Sequence, residues 1–96
     1  MPRRILDRIR AAIRNAVYDM TVHAVEEMAE DGLDLIDVET AILTGTLVKT
    51  ERDDPRGPRY TVHGTGADGT TLVGTLGRFT ETGRYLIITV YEAREP

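Results

Sequence analysis

An α+β fold is the class this sequence predicts: two or three N-terminal helices packed on one face of a four-stranded antiparallel meander sheet. Three observations carry it. Nothing between Arg3 and Asp31 is glycine or proline, whereas seven of the nine glycines lie at or beyond Gly57. Twelve of the thirteen threonines lie at or beyond Thr40. The apolar period changes from helical to alternating after Gly45. With 96 residues there is room for one core. We therefore expect a basic helical arm over 1–17, a single α+β domain over 18–92 and a short tail over 93–96.

The first helix places Ile5, Ile9, Ala12, Ile13, Ala16, Val17 and Met20 on one stripe, with Arg8, Arg10 and Arg14 outside it. Residues 17–20 fit either the end of this helix or an extended segment. Thr21 is placed to cap a second helix over 22–30, with Val22, Val25 and Met28 on one side. Gly32 ends it, where a left-handed residue costs least. Asp34 caps a third helix, Asp37 in its first turn favours the positive helix end, and Gly45 terminates it. Leu35, Val38 and Ile42 form its predicted buried side.

Beyond Gly45 the pattern predicts strands over 47–52, 59–63, 70–79 and 84–91, with turns rich in Gly and Pro between them. The short connections make all four antiparallel neighbours. Gly74 and Gly77 mark a bulge or bend in the third. Alternation assigns Leu86, Ile88 and Val90, Tyr60 and Val62, and Leu72 and Leu76 to the core. The uncovered face then carries Arg59, His63, Tyr85, Thr89 and Tyr91 together, with Thr71, Val73 and Thr75 beside them.

Composition narrows the chemistry. The absence of cysteine excludes disulfides, thiolate metal sites and a cysteine nucleophile, and the absence of serine excludes serine-hydrolase chemistry. His23 and His63 lack metal-ligand spacing, so no metal is expected. The glycine-rich run 63–69 lies between strands and opens no helix, which rejects a dinucleotide or phosphate-loop cofactor. No window approaches the roughly 18 apolar residues of a membrane span, and a cytoplasmic location is the expectation.

Charge is uneven. Residues 1–18 hold five arginines and Asp7, net +4, and residues 19–54 hold eleven acids against Lys49 and Arg52, net −9. The whole chain is −4, which is not the footprint of a duplex-DNA binder. The basic arm is left to fold against the acidic middle, meet an acidic partner, touch RNA phosphates or stay solvated.

Arginine, histidine and tyrosine on one face suit RNA cleavage by its own 2′-hydroxyl. That reaction needs a base, an acid and a cation for the developing phosphorane charge. Histidine serves either proton role, arginine grips phosphate, and tyrosine stacks or donates. We single out His23, Arg59, His63 and Tyr91, with His23 or His63 as the proton-transfer group, Arg59 as phosphate clamp and Tyr91 as a stacking or acid residue. The structural alternative is a half-buried sheet face holding Tyr, Thr and Ile for β-propensity alone.

The run Thr21-Val22-His23-Ala24-Val25-Glu26-Glu27-Met28-Ala29-Glu30-Asp31-Gly32-Leu33 resembles the opening signature of a bacterial domain-of-unknown-function family, the four-two-five-eight family. That signature reads Ser-x-His-Ala-x-Glu-Arg-Met-x-Glu-Arg-Gly-Ile. The resemblance continues through Asp37-Val38, Ala41-Ile42 and Gly45, resumes at Gly57-Pro58-Arg59-Tyr60 and closes on Ile87-Ile88-Thr89-Val90-Tyr91. The two arginines of the family's helix are Glu27 and Asp31 here, and its strand histidine falls on Leu72 or Val73. The family is similar in layout to RelE- and BrnT-type toxins, small ribonucleases of toxin–antitoxin pairs. The resemblance thus implies a RelE-toxin-like fold and a toxin-like RNA-binding or weak, metal-independent endoribonuclease module. Its expected partners are RNA and an antitoxin protein. The rival expectation is a non-catalytic protein-interaction domain, binding an antitoxin or forming a homodimer.

Overall fold

A computed structural model describes residues 4–93, so Arg3 of the expected arm and most of the 93–96 tail lie outside the described residues. The elements run α1 (Ile5–Arg14), β1 (Tyr18–Met20), α2 (Val22–Glu30), α3 (Leu35–Thr44), β2 (Thr46–Glu51), β3 (Arg59–Thr65), β4 (Leu72–Phe79) and β5 (Tyr85–Glu92). The sheet has five strands in the order β1-β5-β4-β3-β2. β2 to β5 form the expected antiparallel meander, but β1 adds a parallel edge to β5, pairing Tyr18 with Tyr85 and Met20 with Ile87. The purely four-stranded antiparallel sheet is thereby corrected to a mixed one. A three-residue strand has almost no period of its own, and its partner lies more than sixty residues away in sequence.

Two residues past the end of α1, Ala16 with a φ of 55° turns the chain back so that Val17 N–H reaches the Ala12 carbonyl. Its stripe enters the core: Ile9, Ala12 and Ile13 pack with Ala24, Leu33, Val38, Ala41 and Ile42 over Tyr60, Val62, Val73, Tyr85, Ile87 and Val90. Arg10 donates to the Gly45 carbonyl (2.7 Å) and to that of Ile42 (3.4 Å), placing a cation at the C-terminal, negative end of α3. Arg8 lies 4.7 Å from the Phe79 ring centre.

The predicted helix signals act as expected at α2. Thr21 Oγ1 accepts from Ala24 N–H (3.0 Å), and Gly32 has φ +67°. The helix lies along the edge of β5 beyond the reach of β1. Thr21 Oγ1 donates to the Ile88 carbonyl, Glu27 accepts from Val90 N–H and Asp31 accepts from Glu92 N–H. Side chains of α2 thus supply the hydrogen bonds that a neighbouring strand would otherwise make. This docking buries Ala24 and leaves Val22 and Val25 exposed, so that of the predicted stripe only Met28 packs against the core.

In α3, Asp37 accepts from Asp34 N–H (2.9 Å) and from Ala67 N–H (2.8 Å), tying the β3–β4 loop to the helix start. Val38, Ala41 and Ile42 are buried, whereas Leu35, expected inside, is exposed. Gly45 ends α3 as expected, as its C-cap residue, with an extended backbone (φ −87°). It is required for close approach, because a Cβ there would overlap the His63 and Ala41 carbonyl oxygens.

Tyr18 of β1 donates to Glu39 Oε2 of α3 (2.7 Å). Partial burial, this bond and the carboxylate charge push its phenol up to about 12. The folded state therefore favours the protonated phenol. Its stabilising effect is complete below pH 10, the phenol's ordinary value, and is lost as pH rises towards 12. Urea midpoints of wild type and Tyr18→Phe are expected to differ at pH 9 and to converge by pH 12.

Candidate functional site on the open sheet face

Cross-strand register decides which side chains share the face turned away from the helices. Thr46 pairs with His63, His63 with Gly74 and Gly74 with Tyr91, giving one continuous row. The next row is Lys49, Thr61, Leu76 and Thr89. Beyond it stand Glu51 and Arg59, then Arg78 opposite Leu86. Apart from the exposed Lys49 and Thr46 and the buried Gly74, these residues are half-buried.

Two sequence-based assignments of this face are overturned. Tyr85 is fully buried on the helix side, so it does not join Arg59, His63 and Tyr91. The cause is a bulge: Leu76 pairs with Thr89 but Gly77 pairs with Ile87, leaving Ile88 as an extra residue that flips the alternation of β5. Tyr85 and Ile87 before it, and Val90 after it, all face the core. In β4 the predicted faces are exchanged. Val73 and Thr75 are buried, and Leu72 and Leu76 lie outward. Pairing of Val62 with Thr75 sets this register, and the Leu/Val content of β4 gives either face an apolar set.

The decisive local geometry is at Gly74. A Cβ on Gly74 would run into the Tyr91 ring, so the ring lies over the glycine and crosses β4 to reach β3. There Tyr91 Oη sits 2.6 Å from His63 Nε2, with the rings edge-on at 5.6 Å between centres and 81° between planes. With the imidazole protonated on Nδ1 alone, the phenol donates to Nε2; a ring protonated on Nε2, neutral or cationic, donates to the phenol oxygen instead. Burial raises the Tyr91 phenol above its ordinary value, so it keeps its proton near neutral pH. Sequence reading treats Gly74 as a bend; its spacing from Tyr91 across two strands becomes meaningful only once the register is known.

Arg59 and His63 share the face but stand four residues apart on β3, about 13 Å along a strand. Arg59 donates to Glu51 Oε2 (2.8 Å) and lies 3.9 Å from Asp54 Oδ2. Lys49, one row from His63, is a cation that sequence reasoning missed, and Arg78 stands on the same face. Lys49 is 3.9 Å from Glu51 Oε1 and largely exposed. His23 stands apart on α2. It is 68% exposed, with Nε2 3.2 Å from Glu27 Oε1, at the sheet edge rather than on the open face. The structure thus brings His63 and Tyr91 together and leaves Arg59 and His23 with partners of their own.

Among the described residues no group of three or more His, Asp or Glu side chains could hold a metal ion, and no helix is long and apolar enough to cross a membrane.

Residues 20–92 match the family described as "Domain of unknown function (DUF4258)". The chain belongs to that family. In this DUF4258 domain the matched segment contains the His63–Gly74–Tyr91 row and the α2 edge. No curated protein and no solved structure matches the chain. Glu27 and Asp31, the acidic residues in the family's helix segment, have a structural use here, since both carboxylates accept backbone N–H groups of β5.

Proposed function

We propose that the domain binds single-stranded RNA across its open sheet face and cleaves it weakly, in the manner of the RelE- and BrnT-type toxins whose layout it resembles. The observation supporting this reading is the His63–Tyr91 contact over Gly74, on a face that also carries Lys49, Arg59 and Arg78. His63, in the tautomer whose Nε2–H is turned to the Tyr91 oxygen, takes the proton from a ribose 2′-hydroxyl on Nδ1, and the resulting oxygen attacks the adjacent phosphorus. The bond from phosphorus to the 5′-oxygen breaks, and that oxygen receives a proton from the Tyr91 side of the pair. The products are a 2′,3′-cyclic phosphate and a 5′-hydroxyl, with no redox change and no metal. Lys49 is the nearer cation for the reacting phosphate, and Arg59 serves a neighbouring one. Tyr91 and Leu76 offer surface on which splayed bases stack.

The test uses the purified protein, labelled single-stranded RNA and EDTA. Binding is expected to weaken as salt rises, and cleavage to leave cyclic phosphate ends. His63→Ala is expected to lower cleavage by roughly 100-fold, the usual scale for a general base. Gly74→Ala is the sharper variant. It displaces the far end of one side chain, so the fold survives while the His63–Tyr91 contact is broken. Cleavage is expected to fall by roughly tenfold or more, while the salt-sensitive part of RNA binding, carried by Lys49, Arg59 and Arg78, is retained. Absence of both salt-sensitive binding and cleavage at low ionic strength, or a solution dimer that buries His63 and Tyr91, would remove the proposal.

A further inference from the structure

Five large apolar side chains that the fold leaves exposed fall within the acidic stretch between Asp19 and Asp54: Val22, Val25, Leu35, Ile36 and Val48. The first two matter most. Val22, 76% exposed, and Val25, 45% exposed, stand with exposed Ala29 at positions i, i+3 and i+7, which is one stripe along the outer side of α2. Their exposure follows from the docking of α2, which turns Ala24, Glu27 and Asp31 towards β5. Glu26 and Glu30 stand exposed beside the stripe.

We propose that the outer side of α2 is a docking surface for an amphipathic helical segment of a protein partner that carries lysine or arginine beside its apolar stripe. An apolar stripe asks for an apolar counterpart, and the flanking carboxylates select cations at its borders. RNA does not fit, because its phosphates would meet Glu26 and Glu30 as like charges. A second copy fits poorly too. The basic α1 could supply charge, but its apolar stripe of Ile9, Ala12 and Ile13 is already buried in its own core. The proposal is independent of the RNA reading, since it uses a helix and not the open sheet face.

Fluorescence anisotropy of a labelled leucine/lysine amphipathic peptide of about four helical turns provides the test. Its controls are a scrambled peptide of the same composition and an analogue with glutamate for lysine. The amphipathic basic peptide is expected to bind the full chain, and the two controls are not. Val22→Ser/Val25→Ser is expected to weaken binding by about tenfold or more. Glu26→Lys/Glu30→Lys, which leaves the apolar residues in place, is expected to weaken it similarly and to flatten its salt dependence. Equal binding of the scrambled peptide, or wild-type binding by both double variants, would overturn the proposal. So would a concentration-dependent dimer that Val22→Ser/Val25→Ser dissolves, since the occupant would then be a second copy.

Discussion

Gly64→Ala is expected to destabilise the protein by about 3 kcal/mol or more, at the upper end of what overpacking costs. A Cβ at Gly64 would overlap the Ala41 carbonyl oxygen and approach the Ala41 carbonyl carbon to 2.8 Å and Gly45 Cα to 2.9 Å. All three are backbone atoms at the contact between α3 and β3, so no rotamer change relieves the overlap. The helix would have to lift from the strand, opening the packing of Val38, Ala41 and Ile42 on Val62. Two other glycines provide the contrast. Gly32→Ala meets open space and bears only the left-handed backbone penalty, about 1–2 kcal/mol. Gly74→Ala meets a side-chain end that can swing away, so its effect falls on the site and not on the fold. Urea denaturation of the three variants checks the order. A Gly64→Ala protein within about 1 kcal/mol of wild type would mean that α3 and β3 are not held this closely.

What the sequence makes legible here is local. Thr21 and Gly32 bracket α2 because a cap and a left-handed stop act on the backbone within a turn. Asp34 and Asp37 mark the start of α3 for the same reason. Each meander strand lies within two residues of its predicted bounds, since Gly- and Pro-rich turns punctuate them. What fails is set by partners distant in the chain. β1 is a strand only because Tyr85–Glu92 lies beside it. The faces of β4 follow the pairing of Val62 with Thr75, and the core side of β5 changes at Ile88 because one residue is bulged against β4. Val22 and Val25 of the predicted α2 stripe stand outward because Glu27 and Asp31 bond the β5 backbone, which hydrophobicity does not register. For the candidate site the same division holds. His63 and Tyr91 are correctly placed on the open face by alternation, but their contact depends on Gly74, and the separation of Arg59 from them depends on strand geometry. The clearest energetic consequence of the bulge falls on Tyr85.

Replacing Tyr85 by alanine is expected to cost about 3–5 kcal/mol, while phenylalanine at the same position leaves stability unchanged or raises it by up to about 1 kcal/mol. The ring is fully buried, packs edge-on against Phe79 at 5.1 Å between centres and fits above Gly77, where a Cβ would meet Tyr85 Oη at 2.6 Å. Removing it leaves a void between rigid elements. The hydroxyl is different, for it is buried without a hydrogen-bond partner among the described residues. Burial drives the phenol's pKa upward, so the group stays neutral and contributes an unsatisfied donor rather than a charge. Its loss therefore removes a desolvation cost while keeping the apolar ring. This pair of substitutions also discriminates between the two placements of β5. On an open face, with the ring already in water, both changes would be nearly neutral, and Tyr85→Ala would disturb RNA binding instead. Thermal or urea unfolding of the two variants, read beside RNA binding by Tyr85→Phe, separates these cases. Large loss with alanine, none with phenylalanine and unchanged binding by Tyr85→Phe is the pattern that a core tyrosine behind the Ile88 bulge requires.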